Sequence, residues 1–300
     1  MSDAEERERG TLPVPEPAAA DDPRVLEFRR LLSLMDALRG PGGCPWDAEQ
    51  TEASVAPCVV EEAHELAEAV DDAPPAARAA EAGDVLTALT LLCRVAEDEG
   101  SFDIGVAAGL AADKLVRRHP HVFASAEVEG AAGVVRSWEE IKRAEREEAG
   151  EADTSALAGV PRGLPALQRA ARTCQKAVAA GFHWKDARGA LAKLEEELEE
   201  LREALPVELL ASAARPDVPE DGPVRAAIEH ELGDVLMAAA FLGGYLGLDS
   251  EGLCRRAVTR FDERFRYMES SLGGSLAGRT LDEMMAAWRG AKAAEAEETR

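Results

Sequence analysis

The sequence predicts an all-α protein made of two tandem helical modules, each with a pair of carboxylate-bearing helices. Three observations lead to this prediction. Alanine, leucine, glutamate and arginine dominate the 300 residues and aromatic residues make up only 4%, a composition typical of helical proteins. Apolar residues recur at helical rather than alternating spacing. A pattern of about 130 residues occurs twice along the chain.

Composition divides the chain into five parts. The charged and Pro/Ala-rich residues 1–23 predict a disordered acidic tail. The first helical module is predicted at 24–149 and the second at 161–290. A linker at 150–160 joins them, and a charged tail occupies 291–300.

The first module shows helix and turn signals in a regular order. Its first helix is predicted to begin after Asp22-Pro23 and to end at Gly40, because an aspartate before a proline starts helices and glycine ends them. The remaining elements are a turn at Gly43–Asp47, two helices with acidic doublets separated by a loop at Asp71–Pro75, a helix from Phe102-Asp103 to near His119-Pro120, and a charged helix from Trp138.

Four carboxylates on the two middle helices form the main chemical feature of this module. Glu62 with Glu65, and Glu81 with Asp84, are spaced three apart and therefore share a helix face beside a stripe of apolar residues that we expect to face the core. Such carboxylates repel one another unless a cation joins them. Oxygen ligands suit Mg²⁺, with Mn²⁺ possible, better than zinc. A solvated acidic face is the alternative for one such cluster.

The second module repeats the plan, which chance explains far less easily than one acidic patch. Gly181–Asp186 matches the turn Gly43–Asp47, and Trp288 matches Trp138. The acidic helix recurs at Glu195–Glu200, and the second doublet recurs as Glu231 and Asp234.

Charge and cysteine content restrict the partners and the location. The formal net charge is −24, from 58 acidic and 34 basic residues, so nucleic acid and anionic membranes are excluded as partners. The N-terminus lacks the basic and apolar regions of a signal peptide. Five single cysteines with no Cys-x-x-Cys motif indicate reduced thiols and a cytoplasmic location.

With these features the chain resembles the MazG family, whose members are nucleoside triphosphate pyrophosphohydrolases of the all-α NTP pyrophosphatase superfamily. The resemblance covers roughly residues 25 to 290 and includes the repeat. It rests on Leu34–Arg39, on Gly43–Asp47 with Glu49-Gln50-Thr51, on the Glu-Glu-x-x-Glu and Glu-x-x-Asp pairs, and on Arg117–Phe123. It implies that Mg²⁺ bridges carboxylates and triphosphate, and that water attacks the α-phosphorus to give a nucleoside monophosphate and pyrophosphate. It also implies a homodimer or higher homo-oligomer.

The resemblance implies roles for residues in both modules. The implied metal ligands are Glu62, Glu65, Glu81, Asp84 and Asp113 in the first module, and Glu197, Glu200, Glu231 and Asp234 in the second. The implied catalytic residues are Glu61, Glu62, Glu196 and Glu197. The implied substrate-binding residues are Lys114, Arg118 and Trp138, and then Lys193, Arg260, Arg264 and Trp288.

Each module departs from the family pattern. Cys58 stands at the place that matches Lys193, so the first module lacks one expected phosphate contact. Thr259 stands where the family has Asn or Asp, and an insertion at 206–223 lengthens the loop between the second module's carboxylate helices. The sequence leaves open which module is active.

Some of these motifs also allow other interpretations. Glu61-Glu62-Ala63-His64 contains Glu-x-x-His, as in di-iron carboxylate bundles, but the second module has no match, so His64 is expected to be a polar neighbour. Trp46 and Trp184 are expected to anchor helices in the core. The rival function is a non-catalytic regulatory protein that binds a nucleotide or a partner. Carboxylates retained in both modules argue against a pure scaffold, because uncompensated buried charge destabilises a fold.

Overall fold

A computed structural model describes residues 12–150, 153–211 and 218–298, and within them every regular element is a helix. The prediction of an all-α protein is therefore confirmed. The chain divides into two compact units, Met1–Ala149 and Gly150–Arg300. Most of the predicted acidic tail, residues 1–11, lies outside the described part of the chain. The five domain boundaries remain a prediction.

The first unit contains seven helices in its described residues. They are α1 (Pro23–Arg39), α2 (Pro45–Glu49), α3 (Glu52–Asp72), α4 (Pro75–Asp98), α5 (Ile104–Arg118), α6 (Pro120–Phe123) and α7 (Gly130–Glu148).

Local chemistry sets the ends of these helices. Asp22 caps α1 by accepting a 2.8 Å hydrogen bond from the backbone N–H of Arg24. Thr51 and Ser54 form a reciprocal capping box at the start of α3. After α1 the chain turns so tightly that a Cβ at Gly43 would lie 2.2 Å from the carbonyl oxygen of Leu38, so only glycine fits there.

A small core fixes α3 and α4 side by side. Val55 on α3 packs with Met35 on α1 and with Leu91 and Val95 on α4. Only Ala73 and Pro74 separate α3 from α4, so the two helices run antiparallel and the C-terminal half of α3 faces the N-terminal half of α4. That pairing brings the acidic residues of both helices together.

The second unit repeats this pairing with helices of its own. Its described helices are α8 (Ala166–Ala179), α9 (Ala187–Ala204), α10 (Val207–Leu210), α11 (Pro223–Tyr245), α12 (Ser250–Ser271) and α13 (Leu281–Glu298). Helix α11 packs against α9 and α8, and α12 packs against α13. Part of the insertion predicted at 206–223 lies outside the described residues.

The two turn tryptophans have different surroundings. Trp184 packs edge-on against Phe241, with ring centroids 4.6 Å apart, as expected of a core anchor. The expectation for Trp46 is wrong, because 60% of this residue is exposed on α2. Gly189 lies so close under Trp184 that a Cβ there would be 2.6 Å from its ring.

The apolar stripe expected to face the core is only partly buried. Beside the first acidic doublet Val60 is 57% exposed, and beside the second Leu86 and Leu89 are exposed as well, whereas Leu91 is buried. Val106 and Leu110 on α5 are also exposed. No single helix in the described ranges is long and apolar enough to cross a membrane. Taken together, α11 and α12 are long and apolar enough by length and composition alone, but the pair is bent by 110°.

Candidate functional site

Three carboxylates of the first unit meet between α3 and α4. Glu62 lies on α3, and Glu81 and Asp84 lie one turn apart on α4. One oxygen from each residue lies within 4.8 Å of the other two. We call these three residues the first cluster.

The first cluster is electrostatically strained. Partial burial raises the pKa of Glu62, and the negative charges of Glu65, Asp84, Glu61 and Glu81 raise it further. In the described part of the chain no basic side chain forms an ion pair with any member of the cluster. The cluster therefore has an electrostatic reason to attract a cation.

An equivalent group lies between α9 and α11 in the second unit. Glu197 on α9 meets Glu231 and Asp234 on α11, again with oxygens within 4.8 Å of one another. We call these three the second cluster. Glu197 is only 7% exposed, so its charge needs a partner more than the charges of its neighbours do.

A lysine supplies that partner. Lys193 Nζ lies 2.9 Å from Glu197 Oε1 and 2.8 Å from Glu196 Oε1. The hydrogen bond from Lys193 lowers the pKa of Glu197, whereas sharing a hydrogen bond with Glu197 raises the pKa of Glu200. His230 Nε2 lies 3.5 Å from Asp234 Oδ2 and adds a second cation when it is protonated.

The other predicted acidic residues lie at the margins of the clusters. Glu65 and Glu200 are exposed, one turn beyond the first glutamate of each cluster. Glu61 is exposed, and Glu196 is exposed and bound to Lys193. Asp113 is exposed on α5 and does not belong to the first cluster. Their roles stay predictions.

Arg118, predicted to bind phosphate, is paired with a carboxylate. Its Nε and Nη2 atoms donate hydrogen bonds of 3.0 and 2.6 Å to Glu145 Oε2, and its guanidinium carbon lies 5.6 Å from the centre of the Trp138 ring. The two arginine bonds, with a third from Arg117, lower the pKa of Glu145 to about 2. Lys114 lies exposed on the same helix.

The second unit contains the same arrangement at matching positions. Arg264 Nε and Nη2 lie 2.7 and 2.6 Å from Glu295 Oε2. Trp288 precedes Glu295 by seven residues, as Trp138 precedes Glu145, and its ring lies 5.1 Å from that of Phe261. Arg260 is exposed.

Sequence reasoning missed both glutamate partners, although a signal exists. Glu145 follows Trp138 by seven residues, and Glu295 follows Trp288 by seven. In each module this spacing places the glutamate on the same helix face as its tryptophan. His64 is exposed and lies outside the first cluster, and its place as a polar neighbour of the site stays a prediction. The Nδ1 atom of His119 lies 2.6 Å from the Leu115 carbonyl oxygen. His119 also contacts the Trp138 ring edge-on, with ring centroids 4.9 Å apart.

The donor set of both clusters fits a hard divalent cation. Each cluster offers three ligand atoms, one from each residue, and all of them are carboxylate oxygens. Neither cluster contains a cysteine or a histidine. Mg²⁺ and Mn²⁺ prefer such oxygens, whereas zinc prefers nitrogen and sulfur. The chemistry of the residues is thus that of a site for a hard divalent cation.

Comparisons with known proteins show which family the chain is similar to. The family model described as the MazG nucleotide pyrophosphohydrolase domain matches residues 50–123, which include the whole first cluster. The chain is 36% identical over 270 residues to the nucleoside triphosphate pyrophosphohydrolase of Escherichia coli strain K12, covering 89% of this chain and 97% of that protein. It is 36% identical over 243 residues to the nucleoside triphosphate pyrophosphohydrolase/pyrophosphatase MazG of Thermotoga maritima, covering 81% and 85%. It is 35% identical over 272 residues to the uncharacterized protein YabN of Bacillus subtilis strain 168, covering 90% of this chain and 52% of that protein.

Proposed function

The chain belongs to the MazG family, and from this we propose that it is an enzyme that hydrolyses nucleoside triphosphates to nucleoside monophosphates and pyrophosphate. The two relatives named as nucleoside triphosphate pyrophosphohydrolases each match along more than four fifths of their own length. The observation that carries the proposal is the pair of equivalent carboxylate clusters, each built on two packed helices. Phosphoryl-type transfer depends chiefly on positioning and charge neutralisation, and such clusters provide both once a cation is bound.

We infer that the cation is Mg²⁺, with Mn²⁺ as an alternative. The residues that would hold it are Glu62, Glu81 and Asp84 in the first unit, and Glu197, Glu231 and Asp234 in the second. Glu65, Glu200 and Asp113 are proposed as further ligands. When bound, such an ion neutralises phosphate charge and lowers the pKa of water.

The chain's own cations would hold the triphosphate. In the second unit these are Lys193, Arg260 and Arg264, and in the first they are Lys114 and Arg118. Arg118 is paired with Glu145 and Arg264 with Glu295, so each of these two arginines would have to exchange its glutamate for a phosphate oxygen to bind phosphate. Trp138 and Trp288 are proposed to lie near the base.

The proposed reaction is displacement at the α-phosphorus. A water oxygen forms a bond to this phosphorus, the bond to the α,β-bridging oxygen breaks, and pyrophosphate leaves with the bonding electrons. Glu61 and Glu62, or Glu196 and Glu197, are proposed to orient the water and to accept its proton. The result is one nucleoside monophosphate and one pyrophosphate for each triphosphate.

Analysis of the products by ³¹P NMR tests this function. We expect pyrophosphate and nucleoside monophosphate from several triphosphates in the presence of Mg²⁺, and no turnover in EDTA. Orthophosphate with a nucleoside diphosphate would contradict cleavage between the α- and β-phosphates. Nucleotide binding without any turnover would instead support the regulatory alternative.

We also propose that the protein forms a homodimer or a higher homo-oligomer through helical surfaces. Apolar side chains such as Val106 and Leu110 on α5, and Val258 and Phe261 on α12, are exposed in the single chain. Exposed apolar faces of this kind favour association with another apolar surface. We therefore expect the protein to bind nucleoside triphosphates and copies of itself, and to bind neither nucleic acid nor a membrane.

The five free thiols support a cytoplasmic location.

A further inference from the structure

Lys193 is the internal counter-ion of the second cluster. Its ammonium group touches Glu197 at 2.9 Å and Glu196 at 2.8 Å, and Glu197 is the most buried member of the cluster. The lysine therefore occupies the side of the cluster where its charge is needed most. A buried carboxylate without such a partner would destabilise the fold.

Within the described residues the first cluster has no such counter-ion. Cys58 precedes Glu62 by four residues, as Lys193 precedes Glu197, and it offers an uncharged thiol that lies 3.9 Å from the Ser54 carbonyl oxygen. Among the described residues, none of the basic ones forms an ion pair with Glu62, Glu81 or Asp84. The two clusters thus share their ligands but differ in what balances their charge.

This difference gives the two clusters different requirements for cation binding. A divalent cation that enters the first cluster meets only negative charge. A cation that enters the second must displace an ammonium group already bound to Glu197, or share the carboxylate with it. Like charges so close repel each other strongly, because a partly buried site is poorly screened.

We propose that Lys193 couples cation uptake by the second unit to the arrival of a triphosphate, whereas the first unit takes up the cation alone. The inference rests on the proposed function. A triphosphate offers the lysine new anionic oxygens and so frees Glu197 for the cation. The movement is local, since both acceptors of Lys193 lie within one turn of α9 and its side chain is 36% exposed.

Isothermal titration of the full-length protein with Mn²⁺ alone tests the proposal. In the wild type we expect one tighter site that disappears in Glu81→Gln and one weaker site that disappears in Glu231→Gln. Lys193→Met should tighten the second site roughly two- to fivefold, the range expected for removal of a partly exposed ion pair. Cys58→Lys should weaken the first site by a similar factor.

Arg202→Met is the matched control. Arg202 lies on the same helix and pairs with the exposed Glu199 outside the second cluster, so its removal changes the net charge equally but should leave both Mn²⁺ affinities unchanged. Adding an α,β-methylene triphosphate should tighten the second site in the wild type more than in Lys193→Met. Thermal unfolding in EDTA provides a second measurement, with a lower Tm expected for Lys193→Met and a higher one for Cys58→Lys.

The possible failures are distinguishable. Mn²⁺ binding that is lost in the glutamine variants but unaffected by Lys193→Met and Cys58→Lys would overturn this inference and leave the proposed function standing. Equal Mn²⁺ affinities of the two sites in the wild type would do the same. Binding that neither Glu81→Gln nor Glu231→Gln alters would overturn the proposed metal sites and the inference with them.

Discussion

Arg118 donates two hydrogen bonds to Glu145, and Arg264 repeats this contact with Glu295 at the matching place in the second unit. Each pair connects the helix with the predicted phosphate cations to the helix with the module's tryptophan. Because both units keep the contact, it belongs to the shared plan of the module. We expect it to position the tryptophan helix as well as the arginine.

The pH dependence of stability tests the Arg118–Glu145 contact. The pKa of Glu145 is lowered to about 2 from 4.5, so its contribution to stability is complete above its unfolded pKa and is lost as pH falls toward 2. Glu145→Gln should therefore lower the free energy of unfolding at pH 7 by about 1–3 kcal/mol. Urea denaturation should show the difference narrowing from about pH 5 downward.

The exposed Glu147 on the same helix provides the control for that experiment. Glu147→Gln should change stability little at any pH. If Glu145→Gln lost as much stability at pH 3 as at pH 7, the loss would not come from the ionised carboxylate.

Glu62→Gln should stabilise the protein when no metal is present. The raised pKa of Glu62 means that its ionisation opposes folding, so stability falls as pH rises past the unfolded pKa of about 4.5. In EDTA at pH 8 the variant should have a higher Tm than the wild type, and at pH 4 the difference should shrink. Mg²⁺ should raise the Tm of the wild type more than that of the variant.

The exposed Glu68 on α3 gives the matched variant, and Glu68→Gln should leave the response to Mg²⁺ unchanged. A Glu62→Gln variant that is less stable than the wild type in EDTA would indicate a structural role for this carboxylate.

Arg39 should be essential for the stability of the first unit. Its side chain is only 7% exposed, bonds to Asp98 at 2.8 Å and also donates to the backbone carbonyls of Asp47 and Gln50. Arg39→Ala removes three hydrogen bonds around a nearly buried side chain, although Asp98 keeps its contact with Arg94 and the Asp47 carbonyl keeps the N–H of Gln50. It should cost about 1–3 kcal/mol. Urea denaturation measures this loss, and hydrogen exchange at residues 44–50 should accelerate.

Arg24→Ala is the control for Arg39, because Arg24 is exposed and pairs only with the neighbouring Asp22. It should cost well under 1 kcal/mol. Equal losses for the two variants would show that the contacts of Arg39 do not hold the turn.

A charge on an exposed apolar face should break the assembly. Leu110 is 56% exposed on α5, and burying a lysine in an apolar interface is unfavourable. Light scattering at micromolar concentration should give a dimer or larger for the wild type and a smaller species for Leu110→Lys. Val14→Lys, outside the helices, should have no effect. A wild type that is active as a monomer would contradict the proposal.

Several helix starts and the paired acidic helices were predictable because short-range chemistry determines them, whereas the charged helix predicted from Trp138 begins earlier, at Gly130. The caps at Asp22, Thr51 and Asp103 lie within three residues of the N–H groups that they bind. The spacing of Glu81 and Asp84 likewise fixes their shared face without reference to the rest of the fold.

Long-range partners could not be predicted in the same way. Nothing near Arg118 in the sequence indicates that its acceptor is Glu145, on another helix. Trp46 and Trp184 follow similar turns, yet only Trp184 has a glycine beneath it and Phe241 beside it. Such differences depend on which side chains the fold brings together, so they appear only in the structure.

The rate of triphosphate hydrolysis by the double variant Glu81→Gln/Glu231→Gln tests the central claim, that the carboxylate clusters carry the reaction. Each substitution removes one proposed ligand from one cluster, so redundancy between the units cannot mask the effect. We expect turnover to fall by at least about a hundredfold with Mg²⁺ present, in a protein that remains folded by circular dichroism. Hydrolysis at the wild-type rate by the double variant would contradict it.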